Sequence, residues 1–248
     1  MRSEPNLCNK AHGSDRTGNW LVTCDHATNT VPDFVNGGTL GLPEDDMARH
    51  IAYDIGGQGV ALALGTLLNA PVICSNFSRL VIDPNRGLDD PTLVMQLYDG
   101  TIIPGNRHLS DGERQARIDQ LYQPYHDALG TLAARPGIAI VSVHSFTPQL
   151  NGYAPRPWEV GVLSAHDRRF ADPLLNRLQG ALSTPVGDNE PYGGHLPGDS
   201  IDQHALRHGR PNALLEVRQD LIHQADQQQK WAQIIAPHLE AARQDANL

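Results

Sequence analysis

Apolar residues in this chain gather into short uninterrupted runs, separated by longer stretches in which they recur every three or four positions. Trp20-Leu-Val-Thr-Cys24 is such a run and stops abruptly at Asp25-His26. Pro71–Ser75, Leu80–Asp83, Ile138–Val143, Glu159–Leu163 and Ala213–Val217 are others. Short runs rich in Val, Ile and Leu predict strands covered on both faces. The intervening stretches predict helices. Pro43 followed by Glu44, Asp45 and Asp46 opens one that runs to about Leu68 with a break near Gly56-Gly57, because proline suits a first turn and acids suit its dipole. Ser110-Asp-Gly-Glu113 is a capping box that opens a second, reaching about Ala134 and distorted at Pro124. Further helices are predicted over 167–179 and 226–243. The alternation predicts an α/β fold, a three-layer αβα sandwich with a mixed, largely parallel central sheet. One domain over 1–248 is expected, with a loose N-terminal arm to about residue 19.

Composition narrows the classes of function. The chain has 248 residues, 40% of them hydrophobic, which is ample for one core. Asp and Glu number 28 against 19 Lys and Arg, a net charge of −9, and no basic run occurs. Nucleic acid is therefore excluded as a partner, since its phosphates demand a basic surface. An anionic small molecule is not excluded, because local arginines can build a positive pocket in an acidic protein. No stretch is apolar enough to span a bilayer, and the polar first twenty residues lack a secretory signal, so no membrane association and a cytoplasmic location are expected. Cys8, Cys24 and Cys74 form no C-x-x-C pair and read as reduced, buried thiols. There is no G-x-S-x-G elbow, Walker A loop or strand-linked G-x-G-x-x-G.

The candidate chemistry lies where strands end. His26 and His144 each follow a buried run directly, and functional groups in open α/β sheets cluster outside the carboxyl ends of strands. Either imidazole alone is explained as a strand cap; the pair points to a metal. A catalytic zinc needs a third ligand. Asp54 offers an anionic oxygen, Asn29 shares the turn of His26 but carries only an amide, and Asp25 suits a supporting role behind a ligand. Glu216 interrupts the apolar run 213–217, where a carboxylate is costly unless it has a task or a partner. It is either a general base or half of a pair with Arg218, two residues on and on the same strand face. Arg79, Asp83, Asn85 and Arg86 are crowded into one segment, either gripping a substrate carboxylate or pairing internally. The Gly- and Pro-rich stretch 187–198, with His195, is a candidate lid.

Four segments in order, Cys24-Asp-His-Ala-Thr-Asn29, Ser78-Arg-Leu-Val-Ile-Asp-Pro-Asn-Arg86, Val143-His-Ser-Phe-Thr-Pro148 and Leu215-Glu-Val-Arg-Gln-Asp-Leu221, resemble the N-formylglutamate amidohydrolase family, itself distantly similar to zinc carboxypeptidases. The resemblance spans about residues 20–222. It implies zinc held by His26 and His144, Glu216 as catalytic base, and Asn85 with Arg86 on the substrate carboxylate, assisted by Arg79; Arg218, on the strand face of Glu216, is a further substrate-binding candidate by its position. The carboxypeptidase pattern has Glu where this chain has Asn29, so the resemblance transfers the missing ligand to Asp54. The reaction implied is hydrolysis of N-formyl-L-glutamate to formate and L-glutamate. The alternatives are a related metallo-carboxypeptidase or amidase acting on another acyl amino acid or a cell-wall peptide, and an inactive carboxylate-binding module.

Overall fold

In the computed structural model, which describes residues 8–248, the apolar runs assemble into one sheet. The elements in chain order are β1 (Asn9–His12), β2 (Trp20–Cys24), α1 (Glu44–Met47), α2 (Gly57–Leu67), β3 (Val72–Ser75), the small hairpin β4 (Leu97–Tyr98) and β5 (Thr101–Ile102), α3 (Asp111–Arg117), α4 (Gln123–Ala133), β6 (Ala139–Phe146), β7 (Val160–Leu163), α5 (Ala171–Ala181), β8 (Gly187–Asp188), α6 (Ser200–His204), β9 (Asn212–Arg218) and α7 (Ala225–Asp245). Among the described residues, seven strands pair in the order β1-β3-β2-β6-β9-β7-β8. The central four, β3, β2, β6 and β9, are parallel. β1 and β7 run antiparallel to their neighbours β3 and β9, and β8 is parallel to β7. This is the mixed, largely parallel α/β sheet that the sequence predicts.

The period of two along each strand sorts residues between two cores. Trp20, Val22 and Cys24 of β2, Val141 and Val143 of β6, and Ala213, Leu215 and Val217 of β9 face one side. There α2, α5 and α7 cover them with residues at helical spacing, such as Leu174 and Leu178 of α5 and Ile235 and Leu239 of α7. Each buried aliphatic side chain of this kind stabilises the fold by roughly 1.5–3 kcal/mol relative to exposure. The alternate residues Leu21, Ile73 and Ile140 face the other side, against Leu121, Tyr125 and Leu129 around α4 and against the segments that precede it. His144, two residues beyond Ser142 on β6, and Glu216, two beyond Leu214 on β9, share this second face by the same alternation.

Three local expectations need correction. Asn9–His12, inside the stretch expected to be a loose arm, is an edge strand on β3; residues 1–7 of that arm lie outside the described residues. β6 does not stop at Val143 but continues through His144 to Phe146, so this histidine is held by the β9 ladder on its flank. Leu80–Asp83 is not a strand. Val81 N–H closes a turn on Ser78 O, and the carbonyls of Leu80 and Val81 are bonded by the buried side chains of Asn106 and Arg117. An apolar run can thus be buried without a ladder when side chains satisfy its backbone. Cys8, Cys24 and Cys74 are buried, as expected. Among the described residues no helix is long and apolar enough to cross a membrane.

Pro124 does distort its helix: a wide turn over Ile118–Tyr122 joins α3 to α4. Beyond it, α4 buries His126, whose Nε2 lies 3.1 Å from the carbonyl of Pro84 and whose Nδ1 lies 2.9 Å from His204 Nε2. Burial lowers the pKa of both imidazoles to about 4. In the unfolded chain they titrate near 6.5, so between those values the unfolded chain binds more protons. The stability this pair confers is complete above about pH 6.5 and is lost as pH falls towards 4. In thermal melts, the drop in Tm between pH 6.5 and 4.5 should be smaller in His204→Gln than in the native protein. Equal drops would show that the pair does not govern acid stability.

Candidate active site

Because β2, β6 and β9 are parallel, their carboxyl ends open on one edge of the sheet, and the candidate residues converge there. His26 lies two residues past β2. Asp54 approaches from the loop before α2, its N–H bonded to the carbonyl of His26 at 2.8 Å. Gly56 makes this approach possible: it has φ +78°, and a Cβ there would sit 2.2 Å from the carbonyl oxygen of Ile222. His144 and Glu216 are direct partners in the β6–β9 register. All four side chains are buried.

Each imidazole has a front and a back. Nδ1 of His144 lies 2.8 Å from Asp54 Oδ2, and Nδ1 of His26 lies 3.3 Å from the same oxygen. Behind them, His26 Nε2 is 2.7 Å from Asp83 Oδ1, and His144 Nε2 is 3.1 Å from Ser142 Oγ and 3.6 Å from Asp25 Oδ2. The potential ligand atoms of His26, Asp54 and His144 all lie within 4.8 Å of one another. Two imidazoles and a carboxylate, each imidazole backed by a second carboxylate, make a donor set that suits a divalent cation. Asn29 is not in this group; its Nδ2 donates to the carbonyl of Met47 at 2.8 Å. Asp25 sits behind His144, also accepting from the hydroxyl of Tyr125.

The charges are strongly coupled. Burial pushes Asp54 towards neutrality, but the two histidines outweigh it and hold its pKa well below the usual carboxylate range. Burial works against the charge of His144, yet Asp25 and Asp54 raise its pKa to about 10. Glu216 behaves differently. Burial pushes its carboxyl up to about 8, with His144 pulling the other way and Asp54 adding to the rise. Its Oε2 has no hydrogen-bond partner among the described residues, an exception to the rule that buried polar atoms are paired.

The remaining expected residues separate into two groups. Arg79 and Arg86 both line a cavity of about 470 Å³ that also exposes His26, Asp54, Asn85, His144 and Glu216. Within it, Arg79 is committed to Asp83 at 2.9 Å and to Asp54 at 3.6 Å. The Asn85 side-chain oxygen accepts from Ser200 N–H. Arg86 bonds the Thr92 hydroxyl and the Asn85 carbonyl. Arg218, expected beside the substrate, is not on the cavity wall. It follows Glu216 by two residues at the end of β9, where it bonds Asp220 and the carbonyl of Trp158 rather than Glu216.

The sequence reading missed several residues at the site. Tyr122, Tyr125 and His126 prop it from beneath, through Arg86 O, Asp25 and Pro84 O. Their spacing at positions 122, 125 and 126, across the wide turn into α4, was the available signal. His50, Tyr98 and Tyr192 line the cavity without any local pattern to mark them. The stretch expected as a lid supplies Pro191 to Leu196 to the wall. It is seated tightly at Gly194, where a Cβ would come within 2.2 Å of both Asn189 Oδ1 and the Ser164 carbonyl oxygen.

A mixed α/β sheet flanked by helices thus gathers two histidines, an aspartate and a buried glutamate at the edge where its parallel strands end. The chain belongs to the N-formylglutamate amidohydrolase family, whose model matches residues 18–223. An N-formylglutamate deformylase of Pseudomonas putida is 28% identical over 208 residues, covering 74% of this chain and 73% of the relative. The crystal structure of a gene product from Agrobacterium tumefaciens superposes with a TM-score of 0.90 at 34% identity, over 97% of this chain and 96% of that one. An N-formylglutamate amidohydrolase from Ralstonia eutropha shares the fold, with a TM-score of 0.72 at 21% identity over 96% and 99% of the two chains. The family resemblance carried by the four segments is thereby borne out.

Proposed function

We propose that this chain is a zinc-dependent amidohydrolase that cleaves N-formyl-L-glutamate to formate and L-glutamate. The observation that carries the reading is the convergence of His26 Nδ1, His144 Nδ1 and Asp54 Oδ2 beside a buried carboxyl, Glu216, with an unpartnered oxygen. Zinc in such a set polarises an amide carbonyl and lowers the pKa of water towards about 7.

The protein's own groups do the rest. Asp83 holds the Nε2 proton of His26, and Ser142, whose hydroxyl donates to Asp25, holds that of His144, so that each Nδ1 faces forward as a ligand. Glu216 accepts the proton of the attacking water and returns it to the amine nitrogen as the C–N bond breaks. A carboxyl whose pKa is near 8 can both take and give that proton close to neutral pH. Arg86, with Asn85, holds the amino-acid carboxylate and so fixes the scissile amide against the metal site. Arg79 keeps Asp83 and Asp54 in place rather than contacting substrate. A cavity of about 470 Å³ has room for a small N-acyl amino acid.

Formate release from a panel of N-formyl and N-acetyl amino acids tests the reading. N-formyl-L-glutamate should be the best substrate. A clear preference for a different acyl group or amino acid would move the chain to the wider class of metallo-amidases, and turnover of none would make it a binding module.

A further inference from the structure

Two arginines, one on the cavity wall and one behind it bonded to residues of that wall, have no acidic partner among the described residues. Arg79 is neutralised by Asp83 and Asp54, but Arg86 bonds only a hydroxyl and a carbonyl. The other is Arg156, in the loop between β6 and β7. Its NH1 donates to the carbonyl of Thr147 at 2.9 Å and to the hydroxyl of Tyr192 at 3.1 Å. Both of those residues line the cavity. The guanidinium lies 4.8 Å from the centre of the Tyr192 ring and 5.6 Å from that of Phe146. Its Nε and NH2 make no hydrogen bond with described residues. It is close enough that its charge opposes the burial-driven rise at Glu216 and adds to the burial-driven fall at His50.

A half-buried guanidinium, stacked on two rings and with part of its fork unused, is pre-oriented for an anion. Arg86 already provides for one carboxylate. A second cation is redundant for a monocarboxylate, but it matches a dianion, whose approach to a protein of net charge −9 is otherwise unfavourable. We infer that Arg156, steadied by Tyr192, binds the side-chain carboxylate of a dicarboxylic N-acyl amino acid while Arg86 holds the α-carboxylate. Arg156 is then the residue that separates glutamate-type from neutral substrates. This rests on the function proposed above and names the group that confers its substrate class.

The test measures kcat and KM for N-formyl-L-glutamate and its uncharged counterpart N-formyl-L-glutamine, in the native protein and Arg156→Met. Calorimetric binding of L-glutamate and L-glutamine to the same metal-analysed preparations is measured alongside. The kcat/KM ratio of the glutamate to the glutamine substrate should fall about 10–100-fold in Arg156→Met, chiefly through KM, because a charge-assisted fork is lost for one substrate only. The preference for binding L-glutamate over L-glutamine should fall with it. Arg156→Lys should recover part of both, and Tyr192→Phe should lose a smaller part. Tyr192→Phe also carries the test should Arg156→Met not fold. An unchanged ratio in folded variants, or native protein that binds L-glutamate no better than L-glutamine, overturns the assignment. A native protein that releases no formate yet prefers L-glutamate in an Arg156-dependent way overturns the deformylase reading and leaves Arg156 as the recognition residue.

Discussion

Glu216→Gln should fold, retain its metal and hydrolyse substrate about 10²–10⁴-fold more slowly, the usual cost of removing a general base. Glutamine preserves the shape of the side chain in the β9 ladder, where Glu216 is paired in register with His144 and Gly161. Stability should change little. Glu216 makes no ion pair with Arg218, which is bonded to Asp220 instead, and its buried Oε2 already lacks a partner. KM should hold within a few-fold, since the proposed carboxylate grip lies with Asn85 and Arg86 instead. If the carboxyl served structure, the opposite pattern would appear: a lowered Tm with near-native kcat in the folded fraction. Melting temperature, metal content and kcat measured on one preparation separate the two.

His26→Ala and His144→Ala should each lose both metal and activity, to below about a tenth of a metal equivalent in dialysed protein. Removing one of the three proposed ligands would leave two, too few to hold zinc against dialysis in a site whose geometry the folded protein sets. Asp54→Ala should behave the same way, because its Oδ2 is the atom that both Nδ1 atoms face. Asn29→Ala should keep its metal, since Asn29 does not line the cavity and its Nδ2 turns to the Met47 carbonyl. Metal analysis by mass spectrometry, with circular dichroism to confirm folding, reads all four. Loss of metal in Asn29→Ala together with retention in Asp54→Ala would transfer the third ligand to Asn29.

The chain discloses its sheet more readily than its site. β2, β6 and β9 are legible because parallel strands covered on both faces must be apolar almost without interruption. That background makes His26, His144 and Glu216 stand out, since a polar group within or directly after such a run calls for an explanation. Leu80–Asp83 deceived for a related reason: the same apolar signature arises where Asn106 and Arg117 come from far along the chain to satisfy the backbone. Sequence spacing could not separate Asp54 from Asn29. Asn29 is nearer His26 along the chain, and only the close approach at Gly56 brings Asp54 forward. Arg218 misled through the two-residue period. It shares the strand face of Glu216 but lies farther along β9, where Asp220 meets it. Arg156 and Tyr192 carry no local pattern at all. They meet because the loop after β6 and the loop after β8 fold over the same cavity.

His26, Asp54 and His144 are proposed to assemble a metal site that hydrolyses a formyl amide. Formate release from N-formyl-L-glutamate should be measured on the native protein as purified, after removal of metal by a chelator, and after one equivalent of zinc is restored. Turnover is expected in the first sample, loss of at least about 99% in the second in line with the loss of an essential catalytic group, and recovery in the third. Undiminished formate release from protein shown to be metal-free, or none from protein shown to hold a full equivalent of zinc, would contradict that assignment.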